Sequence, residues 1–422
     1  MTLSKTQQEI VDSDARNIIV DAGAGSGKTR TLTERVKRIL NSGVNPKSVV
    51  VITFTNLAAD ELKSRLSGVK GINSCFVGTI HSYANKLLKQ TAMQYEIFES
   101  SHEVEFMKLL IEKYAKSCTM SDYMTYSKYR YMSDKGLISK DSIEKHIRSY
   151  AVLEEILYLL GVNQSYKYPE TVKTLCKKNH IIDFDELIVL STKFFNENKT
   201  KLSYLFVDEF QDISYPVYKF LMTLNAENNF VVGDDYQSIY GFSSGDVSIF
   251  LSLMNNENWK SFMLTENYRT PKRIMDYANR IIKKASDIIV KDTVCMNDDP
   301  GDLKISSKFL FEDFIHSIDP TEDWFILVRS NKELNEVDRL LKNYGKDHTC
   351  IRSAQLTSEN KDDILDKVGI KVMTVHTAKG NECRNVAIYG NFPVSNKNPK
   401  SEEIKIYYVG VTRAMHSCKI FS

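Results

Sequence analysis

The sequence predicts an α/β protein with two parallel-sheet domains, the first of them interrupted by a helical insertion. Three observations carry that expectation. Short runs at residues 18–20, 49–54 and 325–328 are β-branched and apolar almost throughout, as strands covered on both faces must be. Each leads through a small polar turn into helical spacing of apolar residues, the alternation of a sheet with helices on its faces. At 422 residues the chain also exceeds one ordinary core, so two or more domains are expected.

Composition narrows the function classes. The chain is 42% hydrophobic and 26% charged with only 8 Pro and 18 Gly, which fits a globular protein and excludes a low-complexity one. No window approaches the roughly 18 consecutive apolar residues of a membrane span, and the polar start argues against a secretory signal. The seven cysteines contain no C-x-x-C pair and read as reduced thiols of a cytoplasmic protein, without a cysteine metal site. A net charge of +2 means that any nucleic-acid contact has to come from a local groove rather than a basic tail.

The strand at 18–20 runs into Ala22-Gly23-Ala24-Gly25-Ser26-Gly27-Lys28-Thr29 and then into a helix. Glycines let backbone N–H groups converge on phosphates without Cβ clashes, Lys28 would reach the β and γ phosphates, and the Thr29 hydroxyl would hold Mg²⁺. Ala22 stands where the usual pattern has its first glycine. Before this strand, Ser4 caps a short helix carrying Gln7, whose amide could read an adenine edge. The strand at 49–54 ends in Phe54-Thr55-Asn56, and the segment 76–82 repeats the pattern, a strand ending in small polar residues, among them Thr79, and in His81. In open α/β sheets, ligands bind at such carboxyl ends.

From about 91 to 182 tyrosines and lysines interleave with helical periodicity, which reads as a helical insertion able to stack on and neutralise nucleic acid. The chain then returns to the sheet. A buried strand delivers Asp208 and Glu209 to its tip, one carboxylate for Mg²⁺ and one to activate water. A further strand delivers Gln237, suited to sensing a γ-phosphate, with Tyr240 and Phe242 suited to stacking on bases. Tyr268 beside Arg269 offers an adenine stack and a charge for a transferring phosphate. A second α/β unit follows, with a strand at 370–375 entering a small basic turn and a last segment through Arg413.

The order and content of these segments resemble the UvrD/Rep/PcrA family of superfamily 1 DNA helicases. The resemblance runs from Gln7 to Arg413 and rests on AGAGSGKT (22–29), TFTN (53–56), GTIHS (78–82), VDEFQD (207–212), GDDYQSIYGF (233–242), NYRT (267–270), TVHTAKGNE (374–382) and YVGVTRA (408–414). It implies two RecA-like domains: 1A over 1–90 and 183–262, with the insertion 91–182 as 1B, and 2A over 263–422. It further implies ATP and Mg²⁺, with Gln7, Arg30 and Tyr268 at the adenine and Glu382 at the ribose. Lys28, Thr29 and Asp208 would hold phosphate and metal, Glu209 would activate water, Gln237 would couple γ-phosphate to DNA, and Arg269 and Arg413 would act as arginine fingers. Phe54, Thr55, Asn56, Thr79, His81, Tyr240, Phe242 and His376 would line a single-strand track, along which family members move 3′ to 5′.

Three departures shape the expectation. Ser243 stands where the family carries an arginine. Only about a hundred residues separate Arg269 from Thr374, so the subdomain called 2B is expected to be absent or vestigial, confined to about 353–368. The chain stops soon after Arg413, so no C-terminal tail or fused nuclease is expected. The leading function is an ATP-dependent 3′–5′ helicase acting on single-stranded and tailed duplex DNA. The alternative is a DNA-stimulated ATPase serving as sensor or regulatory subunit. Compact helicases of this type resemble those paired with a nuclease in Gabija-type anti-phage systems, which implies a partner nuclease. A small-molecule phosphotransferase would leave the strand-tip aromatics and the second α/β unit unexplained.

Overall fold

The computed structural model describes residues 2–91, 93–97, 180–198, 201–240, 245–352, 360–390, 392 and 400–422, with only the backbone at 361 and 362. Phe242, Ser243, nearly all of the expected 1B insertion and much of the stretch 353–368 lie outside the described residues.

The first six-stranded sheet contains β1 (Asn17–Ala22), β2 (Val49–Thr53), β3 (Phe76–Thr79), β6 (Tyr204–Val207), β7 (Asn228–Gly233) and β8 (Lys260–Leu264). Its order is β3-β2-β6-β7-β1-β8, and every pairing is parallel. Its interior strands are buried end to end or nearly so, which is why they read as unbroken apolar runs. Ile18, Val20, Phe206 and Phe230 pack there against Leu32 and Val36 of the helix Lys28–Asn41. Because β1 lies between β7 and β8, the loops after β1, β6 and β7 emerge together at the carboxyl edge.

The second sheet contains β11 (Asp302–Ser306), β12 (Trp324–Val328), β13 (His348–Cys350), β14 (Ile370–Thr374), β15 (Cys383–Tyr389) and β16 (Ala414–Phe421). Its order is β11-β16-β15-β12-β14-β13, again wholly parallel. Two short parallel ladders complete the strands: β4 (Glu96–Ile97) with β5 (Ile181–Ile182), and β9 (Glu266–Asn267) with β10 (Val294–Cys295).

Both large sheets belong to one compact unit, residues 1–83 and 195–422, while 84–194 form a second unit. Within the first unit, Ala24, Tyr236 and Ile239 from the loops of the first sheet join one core with Met275, Val375 and Tyr408. The Tyr236 and Tyr408 rings meet edge to face with centroids 5.3 Å apart. In the second unit β4 pairs with β5, and Ser191 Oγ donates to the Ala84 carbonyl at 2.9 Å.

The strands β8, β11 and β13, which the apolar pattern did not single out, are all sheet edges with half-exposed residues. An edge strand keeps polar side chains toward water, so it lacks the signal that marks a central strand. Among the described residues no helix is long and apolar enough to cross a membrane.

Leu327, fully buried on the central strand β12, tests this core directly. Leu327→Ala is expected to cost about 2–5 kcal/mol, read as a lower denaturant midpoint at unchanged slope.

Candidate functional site

The glycine-rich loop is shaped by two left-handed residues. Gly25 has φ +67° and Gly27, which caps the helix Lys28–Asn41, has φ +80°. A Cβ on Gly25 would fall 2.8 Å from Arg269 Cβ, and one on Gly27 would fall 2.6 Å from Gln7 Nε2. The loop carbonyls are tied down by neighbours. Ala24 O accepts from Asn267 Nδ2 at 2.6 Å, Gly25 O from Tyr268 N at 3.0 Å, and Ser26 O from Gln7 Nε2 at 2.9 Å. The Gly23 and Ser26 amides are also engaged, donating to Leu264 O at 3.0 Å and to Gly23 O at 3.2 Å, so the anion-binding face is the rest of the loop's amides with the helix N-terminus.

Asp208 and Glu209 follow β6, with Glu209 held at φ +54°, a strained conformation for a side-chain-bearing residue and one that clusters at functional sites. Lys28 Nζ donates to Glu209 Oε1 at 2.6 Å, and Asp208 Oδ1 accepts from Glu209 N at 2.9 Å. Burial pushes the Asp208 carboxyl up to about 6; Lys28 pulls it back and Glu209 adds to the rise. Burial acts the same way on Glu209, but Lys28 and Lys379 outweigh it and hold the group down at about 2. Lys28 is pulled down by burial, yet the Glu209, Asp208 and Asp234 carboxylates leave it above the usual lysine value. A carboxyl raised by desolvation is one that a divalent cation would stabilise as carboxylate, so Asp208, with the hydroxyl of Thr29, fits an oxygen-preferring ion such as Mg²⁺.

Facing this edge are groups from the second half of the chain. Arg413, in the turn between the helix Ser401–Val411 and β16, is only 1% exposed. Its Nε donates to Val409 O at 3.0 Å and its Nη2 to Gln237 Oε1 at 3.1 Å. Burial, reinforced by Arg269, lowers it to about 9, so the guanidinium stays charged at neutral pH. Arg269 places Nη1 3.4 Å from Glu382 Oε2, while its buried Nε and Nη2 have no hydrogen-bond partner among the described residues. Buried donors without an acceptor are costly, and a phosphate oxygen is an acceptor that guanidinium geometry suits. Gly25, Lys28, Asp208, Gln237, Arg269 and Arg413 line one cavity of about 250 Å³. It shares Glu61, Arg65, Gly380 and Glu382 with a neighbouring cleft of about 620 Å³.

Tyr268 is 43% exposed and its hydroxyl donates to Glu266 at 2.9 Å, which leaves a ring face for stacking. Gln7 is buried with both ends of its amide in use. Oε1 accepts from Ser4 N at 3.0 Å in a capping box, so one amide hydrogen and one lone pair remain for an adenine. Arg30 lies near Tyr268, close enough to act on its hydroxyl electrostatically.

Three of the expected track residues come together. The Phe54 and Tyr240 rings stack at 5.7 Å and 24°, and Tyr240 lies 6.2 Å from His376. Thr55 caps the helix Asn56–Leu66 through its Oγ1, and Thr79 accepts from Ser82 N at the tip of β3. His81 is half-buried in the helix that follows. Thr79 ends β3, and His81 lies on the first turn of the helix Ile80–Leu88.

Sequence reasoning missed Lys379, Gln211 and Asp234. Lys379 Nζ donates to Asp212 Oδ2 and, at 2.8 Å, to Gln237 O, and it sits 4.7 Å over the Tyr240 ring. Gln211 Nε2 donates to Glu209 Oε2 at 2.7 Å, and Gln211 Oε1 accepts from Asp234 N at 3.0 Å. The basic residue in the turn after 370–375 was the one available signal for Lys379.

Two outcomes follow from this geometry. Gly25→Ala is expected to weaken binding of a fluorescent ATP analogue by at least about tenfold, measured by titration, through strain and the Arg269 clash. His376 is pushed down to about 4, first by burial and then by Arg329. Its folded value lies below the unfolded value near 6.5, so the unfolded chain binds more protons and stability falls as pH drops from about 6.5 to 4. His376→Gln is expected to flatten that part of the stability–pH curve, measured by urea unfolding.

Comparison with known proteins agrees with this arrangement. The UvrD/REP helicase N-terminal domain family matches residues 3–258, and the UvrD-like helicase C-terminal domain family matches residues 328–420. A Mycoplasma pneumoniae protein named "Probable DNA helicase" is 28% identical over 98% of this chain and 82% of its own length. The Bacillus subtilis ATP-dependent DNA helicase PcrA is 27% identical over 83% of this chain and 50% of its own. Escherichia coli DNA helicase II is 28% identical over 67% and 40%. The chain thus spans half or less of the length of the latter two. By the extent of these family matches, the chain belongs to the UvrD-like helicases.

Proposed function

We propose that this protein hydrolyses ATP with Mg²⁺ and uses the cycle to move 3′ to 5′ on single-stranded DNA, unwinding duplex from a 3′ tail. The observation that carries the ATP reading is the pair of buried Arg269 donors that find no partner among the described residues, lining the same cavity as the Lys28–Glu209 pair. The 3′–5′ direction is supported by the resemblance of the eight motifs. The domain assignment of 1–90 with 183–262 to one RecA-like half and 263–422 to the other belongs to the same proposal. So do a cytoplasmic location, supported by five described cysteines that form no disulfide, and a protein partner such as a nuclease, supported by the Gabija-type resemblance.

Bound through Thr29 and Asp208, Mg²⁺ would neutralise charge on the phosphates. The chain's own residues supply the rest. When Lys28 turns from Glu209 to a phosphate oxygen, Glu209 loses the main charge holding it near 2 and becomes a better acceptor for a proton from water. Gln211, bonded to Glu209 Oε2, keeps that carboxylate oriented. Arg269 and Arg413 approach from the second half, so engaging the phosphates draws the two halves together. That movement would change the spacing of Phe54 on one side from His376 on the other, with Tyr240 between them. Stacking worth roughly 1–3 kcal/mol per base is sequence-tolerant and suits a track that bases step through.

The test is ATP turnover with and without oligo-dT, followed by unwinding of 3′- and 5′-tailed duplexes. Expected are stimulation of about tenfold or more, unwinding from 3′ tails only, and a loss of at least about a hundredfold in turnover for Lys28→Ala. Unwinding from 5′ tails alone, or undiminished turnover in Lys28→Ala, overturns the proposal.

A further inference from the structure

Lys291 is a fully buried lysine outside every motif quoted above, and its side chain has 0% exposure. Its Nζ lies 2.8 Å from Asp21 Oδ1 and 2.7 Å from Asp234 Oδ1, also contacts Asp235 Oδ1, and sits 3.9 Å from the centre of the Tyr236 ring. The backbone is stitched to the same loop. Lys291 N donates to Tyr236 Oη at 2.8 Å, and Ile289 N donates to Asp235 Oδ2. Further along, Val294 N donates to Thr265 O at 2.9 Å, Met296 N to Asn267 O at 2.7 Å, and Asn297 Nδ2 to Arg269 O at 3.2 Å. The segment 289–297 therefore ties the loop carrying Gln237 to the turn carrying Tyr268 and Arg269.

The bond pattern at Asp234 gives Lys291 a specific reach. Asp234 Oδ1 accepts from Lys291 Nζ and from Tyr236 N at 3.1 Å, while Oδ2 accepts from Gln237 Nε2. Gln237 Oε1 in turn accepts from Arg413 Nη2 at 3.1 Å. Stability alone explains such a cluster poorly. Burying one cation with three carboxylates carries a desolvation cost that well-packed apolar side chains of similar volume would avoid. A buried charge network does, however, fix the orientation of its members.

We propose that Lys291 is a positioning residue for the nucleotide-sensing glutamine: by holding Asp234 Oδ1 it aims Oδ2 at Gln237 Nε2 and so keeps Gln237 Oε1 on Arg413. Through the segment 289–297 the same residue links that glutamine to Arg269. This inference rests on the reading of Gln237, Arg269 and Arg413 as groups that meet the ATP phosphates.

The test compares Lys291→Met in a background of Asp21→Asn and Asp235→Asn, which removes two of the uncompensated carboxylates, with that background alone. Thermal midpoint, affinity for a fluorescent ATP analogue and DNA-stimulated kcat are all measured. Lys291→Met is expected to lower kcat by about tenfold or more with analogue affinity changed by less than about threefold. With Gln237→Ala also present, Lys291→Met is expected to cost less than about twofold further, because both changes break one relay. An undiminished kcat, or an undiminished Lys291 effect in the Gln237→Ala background, overturns the inference. If Gln237→Ala alone leaves kcat unchanged, the underlying reading of the glutamine falls instead, and the Lys291 role falls with it. If the Met variant shows no thermal transition, Lys291→Arg, which keeps the charge and changes the reach, is judged by the same criteria.

Discussion

The buried ionic seam between the two parallel sheets is the constraint on which the rest of this structure depends. Lys379 against Asp212 and Arg413 against Gln237 cross between the two halves, and Lys28 against Glu209 continues the seam between two strand tips of the first sheet. Neither ion pair, Lys28–Glu209 or Lys379–Asp212, can lose one charge without leaving its partner desolvated and uncompensated. The two sheets supply apolar frames that hold strand tips rigidly, and the seam turns those tips into one chemical site. Asp212, pushed up to about 6 by burial against the pull of Lys379, shows how closely desolvation and pairing are balanced here.

That balance gives the site its capacity to respond. Lys28 and Arg269 hold contacts that a phosphate can replace: an ion pair at 2.6 Å in one case, and in the other a long 3.4 Å contact beside two donors without a partner among the described residues. The stacked Phe54 and Tyr240 rings adjoin the same loops, since Tyr240 stands three residues beyond Gln237 and under the Lys379 ammonium. A change at the phosphates therefore reaches the aromatic cluster through a few covalent and ionic links rather than through the whole fold.

Much of the site was legible in the sequence because its chemistry sits at strand ends. A continuous apolar run followed by Gly-Lys-Thr or by Asp208-Glu209 announces both the buried strand and the polar tip it presents. The edge strands were not legible for the converse reason, since β8, β11 and β13 keep exposed residues and lose the pattern. Lys291 and Gln211 were not legible either. Their meaning lies in partners brought together by strand order, Asp21 on β1 beside Asp234 after β7, which no local spacing records. The engagement of Gln7 in its own cap was half legible, since the sequence marks Ser4 as the cap but not the reciprocal bond that Ser4 N donates to Gln7 Oε1.

The most direct test of a phosphate site completed from the second half of the chain is the steady-state turnover of Arg269→Ala with saturating oligo-dT, measured beside its affinity for a fluorescent ATP analogue. The account predicts a fall in kcat on the order of a thousandfold, as for loss of an arginine finger, with analogue affinity changed only a few-fold. Turnover equal to that of the unmodified protein would contradict it.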